Sequence, residues 1–405
     1  MKVKHLFPIY KNNPNLVYLD SAATSLKPQI VIDKLVDYYT KYSANVKRGI
    51  YDIGEQATKE YEDARDMVAK FINAKTSEII FTRGTTESIN LIAYSLGREI
   101  IGRNDEVLTS ITEHHSNFIP WQQLAAENQG VFKVLDIDNN GYLQADSNTF
   151  SKIVNKKTKI VALTFVSNML GTINPVKKII KDLKSINKNI IVVLDCAQAI
   201  PHMKVDVQQI GCDFIAFSGH KMLGPTGIGV LWGRKELLDQ MYPFQFGGEM
   251  INEVKIKKTT YADVPEKFEA GTPAIAQAIG LGKAIQFLEK IGLDNIEKHE
   301  KELVNYSIKR LIERFGDNIT IYGPKSPKKR AGIISFNLKG IHPHDLTSLL
   351  NDNKVCIRAG NHCTMPLHTR FGINASCRAS FYVYNDKNDV DSLVAGLEKA
   401  KKIFS

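Results

Sequence analysis

Through the first two-thirds of the chain, short runs of consecutive apolar residues closed by turn residues alternate with stretches in which apolar residues recur every three or four positions. Runs too apolar to alternate mark strands covered on both faces, so the pattern predicts a mainly parallel sheet with helices on either side, an α/β fold. The predicted strands span 78–81, 107–111, 159–165, 189–194, 213–217 and 228–232. Between them Tyr61, Ala64, Val68 and Phe71 fall on one helical face, and a helix opens at Val176 just after an Asn-Pro boundary. From about residue 286 the pattern changes to a long charged helix, a strand at 331–337, a helix, short strands at 355–358 and 377–384, and a terminal amphipathic helix. These predict a smaller α+β domain. The expected division is 16–285 for the large domain and 1–15 with 286–405 for the small one. "SPKKR", 326–330, reads as a charged surface loop.

Composition narrows the classes. With 405 residues, 43% hydrophobic and 24% charged, the chain is long enough for a large core. The net charge of +10 is spread over helix-like segments, and no RNP, zinc-finger or recognition-helix pattern accompanies it, so nucleic acid is not the expected partner. No apolar run reaches the length of a bilayer span and no secretory h-region follows Met1, which predicts a protein without a membrane role. Five cysteines, odd in number and without a CxxC pair, predict a reducing, cytoplasmic setting.

Candidate chemistry gathers where strands end, because ligand crevices in such sheets open there. "IIVVLDCAQA" ends its strand in Asp195, and "DFIAFSGHKMLGPTGIG" ends another in Ser218, Gly219, His220 and Lys221. A lysine in this position is by itself as readily an ordinary exposed residue. Paired with a carboxylate it suits pyridoxal 5'-phosphate: the amine forms a Schiff base, and Asp195 keeps the pyridinium nitrogen protonated. Gln198 is spaced to reach the ring's phenolic oxygen. "FTRGTTESIN" leads from a strand into a helix expected near Glu87, offering backbone N–H groups to a phosphate, with Thr86, Ser218 and His220 as the cup; the same residues would also simply cap a helix. "GPTGIG" lacks the GK[ST] ending of a P-loop. In "TEHHSN" a flat imidazole, His114 or His115, can lie over a ring, and neither histidine has a partner at the spacing of a helical zinc site, so no metal is expected.

Taken in order, "DSAATSLKP", "RGTTESIN", "TEHHSN", "SNMLGT", "LDCAQA", "FSGHKMLGPTGIG", "FEAGTP" and "RAGNHCTMP" resemble the group II (SufS-type) cysteine desulfurases of the class V aminotransferase family. The resemblance runs almost end to end and implies the type I fold of pyridoxal-phosphate-dependent transferases. It implies that Lys221 carries the cofactor, Asp195 pairs with the pyridinium nitrogen, Gln198 meets the phenolic oxygen and His114 stacks on the ring. It further implies that Thr86, Ser218 and His220 hold the phosphate, that Thr272 reaches the phosphate of a second subunit in a homodimer, and that Asn168 and Arg358 orient the substrate with Arg378 close by. Cys363 then accepts sulfur from L-cysteine as a persulfide, leaving L-alanine, and passes it to an acceptor protein of SufE or SufU type for iron-sulfur cluster assembly.

A thiolate must be reachable and near positive charge, so Cys363 is expected in the open, with Arg358 and His362 supplying the field, whereas Cys196, Cys212, Cys356 and Cys377 read as small apolar fillers. Two positions depart from the family's wording: Asn361 stands where "GHHC" has its first histidine, and Lys47 precedes Arg48 where "NVHRG" is usual. His342 and His344 of "HPHD" are surface candidates for the acceptor contact. Selenocysteine lyase, an aminotransferase-like or kynureninase-like enzyme, and a catalytically silent binding protein are the alternatives.

Overall fold

The computed structural model describes residues 1–47 and 49–404, so Arg48 lies outside the described residues. Its centre is a seven-stranded sheet in the spatial order Ile79–Thr82, Gly229–Gly233, Phe214–Ser218, Ile191–Asp195, Thr158–Thr164, Glu106–Ser110 and Val131–Leu135. The pairs from Phe214–Ser218 to Val131–Leu135 are parallel, and Gly229–Gly233 runs antiparallel to both of its neighbours. Successive side chains on the middle strands enter different cores: Val161, Leu163, Val192 and Leu194 join one cluster, Ile160, Ala162 and Val193 the other. That two-sided burial is why these strands read as unbroken apolar runs. Helices Gln29–Lys41, Asp52–Phe71 and Ile275–Ile291 pack against one another beside the first core.

A second, four-stranded antiparallel sheet has the order Ile319–Tyr322, Ile333–Leu338, Ser376–Ser380, Arg358–Gly360. Helices Leu293–Phe315, Pro343–Asp352 and Lys387–Ile403 bury their apolar faces in its core. The N-terminal segment is stitched to this layer, for Val17–Tyr18 pairs in parallel with Val355–Cys356 and contributes Val17 and Leu19 to the same core.

Several expectations need correction. Strand Val131–Leu135 was not anticipated; it is a sheet edge whose first four side chains are exposed or half-buried, and Lys133 interrupts its otherwise apolar run. Ile319–Tyr322 is likewise an additional strand. The helix expected near Glu87 opens at Thr85, and the strand expected over 377–384 ends at Ser380. "SPKKR" is not wholly a surface loop: Arg330 is fully buried, its guanidinium donating to the carbonyls of Tyr322 and Ile333. Among the described residues no helix is long and apolar enough to cross a membrane.

Candidate active site

The C-terminal ends of the parallel strands and the loops after them surround a cavity of about 270 Å³. Its wall brings together Thr86, His114, Asn168, Asp195, Ser218, His220, Lys221, Arg358, Cys363 and Arg378, residues spread over almost 300 positions of sequence. Gln198 lies outside this wall, as does Thr272, which was expected to serve a second subunit. Gln198 sits behind the wall, its Nε2 donating to the carbonyl of Ala22 at 2.7 Å, and Thr272 lines a different cavity with Arg83, Glu87 and Gln245.

On one side the strand ending at Ser218 meets the turn that opens helix Thr85–Ile92. The Thr85 N–H donates to Ser218 Oγ at 2.9 Å and the two hydroxyls lie 2.7 Å apart. Gly84 has φ +157°, and Gly229 lets its strand pass underneath, since a Cβ at 229 would stand 2.4 Å from Gly84 Cα. This close-packed turn presents backbone donors at a helix N-terminus, a cradle suited to a phosphate. Thr86 Oγ1 and Ser116 Oγ are 2.7 Å apart. His220 completes this side; burial, with Lys221 and Lys27 beside it, draws its imidazole down to about 4, so it is a neutral donor.

At the floor, Asp195 is buried and Lys221 half-buried. Burial raises the Asp195 carboxyl, opposed by the Lys221 charge and the Ala197 N–H, and lowers the Lys221 amine, opposed by Asp195. His114 is held by the Ser116 N–H, which donates to its Nδ1 at 3.1 Å, so the neutral ring carries its proton on Nε2. Burial first, then Lys221, His115 and Arg378, draw that imidazole down to about 3. The residues fit pyridoxal phosphate on the structure's own terms: a buried carboxylate and a half-buried amine across from a backbone anion cradle, with the Nε of Arg378, a residue of the cavity wall, buried and without a hydrogen-bond partner.

Facing this floor is the turn of Cys363. His362 and Cys363 both adopt left-handed backbone conformations, φ +50° and +56°, which non-glycine residues enter at a cost of about 1–3 kcal/mol each. Neighbours hold them there. The Cys363 N–H donates to Asn361 Oδ1 at 3.0 Å, Asn168 Nδ2 donates to the His362 carbonyl at 2.7 Å, and the His115 N–H donates to the Cys363 carbonyl at 2.8 Å. Asn361, the departure from the family's wording, therefore builds the turn itself. Lys47, the other departure, makes an ion pair with Glu266 at 3.0 Å, away from the cavity.

Cys363 is exposed, whereas Cys196, Cys212 and Cys377 are buried and Cys356 is half-buried. The expectation that His362 lends positive charge is overturned. It is 6% exposed, its Nε2 lies 3.1 Å from Ser376 Oγ, and burial with Arg378 and His368 nearby pulls it down to about 2, leaving it neutral. Positive charge comes instead from Arg358 and Arg378. Residues that the sequence reading missed include Asp20, Ser116 and Ser376; Asp20, the first residue of "DSAATSLKP", and Ser116, within "TEHHSN", carried a signal, and Ser376 did not.

Comparison with known proteins agrees with this geometry. The family model described as Aminotransferase class-V matches residues 17–393. A probable cysteine desulfurase of Halalkalibacterium halodurans is 51% identical over 407 residues, covering 100% of this chain and 98% of that protein. A cysteine desulfurase of Haloferax volcanii is 46% identical over 392 residues, covering 96% and 90%. Among solved structures, an apo cysteine desulfurase from Thermococcus onnurineus NA1 superposes with a TM-score of 0.93 at 41% identity, covering 99% of this chain and 97% of that one. The cysteine desulfurase CsdA of Escherichia coli, in an S-sulfonic acid form, gives 0.91 at 34%, covering 100% and 98%.

Proposed function

We propose that this chain, which belongs to the class-V aminotransferase family, is a cysteine desulfurase that uses pyridoxal 5'-phosphate to convert L-cysteine to L-alanine. One observation carries the reading: a single cavity whose wall includes a half-buried amine, a buried carboxylate, two guanidiniums and the one exposed thiol.

Lys221, Asp195, Gln198, His114 and Asn168 would hold the cofactor's ring, and Thr86, Ser218 and His220 its phosphate. When bound, the cofactor supplies a sink for the electrons released at the substrate's α-carbon. Arg358 and Arg378 bind the substrate carboxylate through the planar, charge-assisted hydrogen bonds that guanidinium favours. Lys221 Nζ takes the α-proton; its burial disfavours the ammonium form and so readies it as a base. Cys363 Sγ attacks the substrate sulfur, forming an S–S bond as the substrate's Cβ–S bond breaks, while His114 Nε2 or Lys221 returns protons to the product. Cys363 is left as a persulfide and alanine departs.

Further parts of the reading follow. Thr272 serves the phosphate of a second copy in a homodimer, an assignment supported by its place in a separate cavity of this chain. The chain divides into a large domain of residues 16–285 and a small one of 1–15 with 286–405. The persulfide is passed in the cytoplasm to an acceptor protein of SufE or SufU type that feeds iron-sulfur assembly, with the exposed His342 and His344 as candidate contacts.

The deciding experiment is incubation with L-cysteine followed by intact mass and peptide mapping. One added sulfur on the Cys363 peptide, with alanine released, is the expected result. Sulfur on another thiol, or none, overturns the assignment.

A further inference from the structure

Arg358 and Arg378 are direct register partners across the antiparallel pair Arg358–Gly360 and Ser376–Ser380. Like charges facing each other across strands repel, and Arg378 is only 3% exposed, so water does little to screen it. One carboxylate answers both. Asp20 accepts from Arg358 Nε at 3.1 and 3.3 Å and from Arg358 Nη2 at 3.1 Å, and its Oδ1 accepts from Arg378 Nη2 at 3.1 Å.

The placement of this carboxylate is fixed by backbone. Leu19 N–H donates to the Cys356 carbonyl at 2.9 Å, Ser380 N–H donates to the Leu19 carbonyl at 2.7 Å, and Asp20 forms a parallel bridge to Ser380. Asp20 is thus tied to Ser380, the last residue of the strand that carries Arg378. Arg378 is pinned further by Nη1 donating to the Asn168 carbonyl at 3.0 Å, while its Nε stays buried and without a partner. Asp20 occupies the Nε and Nη2 edge of Arg358, and both arginines line the cavity.

We propose that Asp20 is a positioning residue: a shared counter-ion that keeps Arg358 and Arg378 together and aimed, so that the α-carboxylate of the substrate meets a preassembled pair. The inference rests on the desulfurase reading for the identity of the substrate. It adds that the first segment of the chain, with no atom in the bond-breaking chemistry, sets the geometry of substrate capture. Removing its charge has two opposite consequences at once. The local potential becomes more positive, and the two guanidiniums, no longer held, lose alignment.

Both can be read in the cofactor-loaded protein with Asp20→Asn and Asp20→Glu. Alkylation of Cys363 by anionic iodoacetate, divided by alkylation by neutral iodoacetamide, reports local potential, because thiol ionisation cancels in the ratio. In Asp20→Asn the ratio should rise at least threefold while KM for L-cysteine rises about tenfold and kcat stays within threefold. A simple loss of packing leaves the ratio unmoved. Asp20→Glu, which keeps the charge one methylene away, should restore the ratio but not KM, and serves if the asparagine variant folds poorly. An unchanged ratio in Asp20→Asn, or a KM within twofold of the parent, overturns the proposal. If the parent itself releases no alanine from cysteine, the desulfurase reading fails, and the alkylation ratio still decides the counter-ion role.

Discussion

His115 grips the turn of Cys363 from the opposite layer of the fold: its N–H donates to the Cys363 carbonyl at 2.8 Å and its Nε2 accepts from the Met365 N–H at 3.2 Å. The same dipeptide that supplies His114 to the cavity thereby anchors the turn that carries the thiol. The backbone contact survives any substitution, but the ring contact does not. His115→Ala should lower the rate of persulfide formation about fivefold, the worth of roughly one hydrogen bond, without bleaching the cofactor. Rapid-quench measurement of sulfur on Cys363 checks this.

Asn361→Ala deletes the acceptor of the Cys363 N–H. Stability should fall by about 1 kcal/mol, and the turn, strained at two consecutive residues, should open more often. Hydrogen exchange at the Cys363 amide is expected to quicken severalfold, and an unchanged exchange rate would show that the turn is held by other contacts.

Glu113, next to His114, is fully buried; desolvation pushes its carboxyl up to about 8, with a smaller push from Asp195, against hydrogen bonds from Ser110 at 2.5 Å and Asn117 at 2.6 Å. The folded state therefore keeps a proton that the unfolded chain has released. Stability is complete below the unfolded value of 4.5 and declines as pH rises toward about 8, by up to about 1.4 kcal/mol per pH unit. Glu113→Gln, neutral throughout, should match the parent near pH 4.5 and melt progressively higher than it up to pH 8. Parallel melting curves over that range would contradict a protonated Glu113.

His114, His220 and His362 have the opposite sign. All three are held neutral by burial, at about 3, about 4 and about 2, against 6.5 for a free imidazole. Their contribution is complete above pH 6.5 and is lost as pH falls toward the folded values, each by up to about 1.4 kcal/mol per unit. The cofactor-free protein should lose stability steeply between pH 6.5 and 4, and His362→Gln should flatten that slope.

The reach of the sequence follows from which interactions are local. Asp195 and Ser218 were legible because each closes a strand buried on both faces, Lys221 because it lies in the turn just after Ser218, and such strands announce themselves as apolar runs. The edge strand Val131–Leu135 is apolar apart from Lys133 and as long as the strands that end in Asp195 and Ser218, so its sequence carried a strand signal that the reading passed over. Charge states were less accessible still. His362 beside an active cysteine invites a cationic reading, and only burial against Ser376 and Arg378 shows it neutral. Arg330 in a run of basic residues looks solvated until its carbonyl partners are seen. Asp20 meets Arg358 across 338 positions, a separation at which spacing carries no information.

That separation also orders events during synthesis. The strand Val17–Tyr18 leaves the ribosome early, yet its pairing partner is Val355–Cys356, and Asp20 waits for Ser380 and both arginines. Closure of this kind cannot precede the synthesis of Val355–Cys356 and Ser380. A nascent chain can complete much of its large sheet while remaining inert, so release of sulfur is confined to finished molecules.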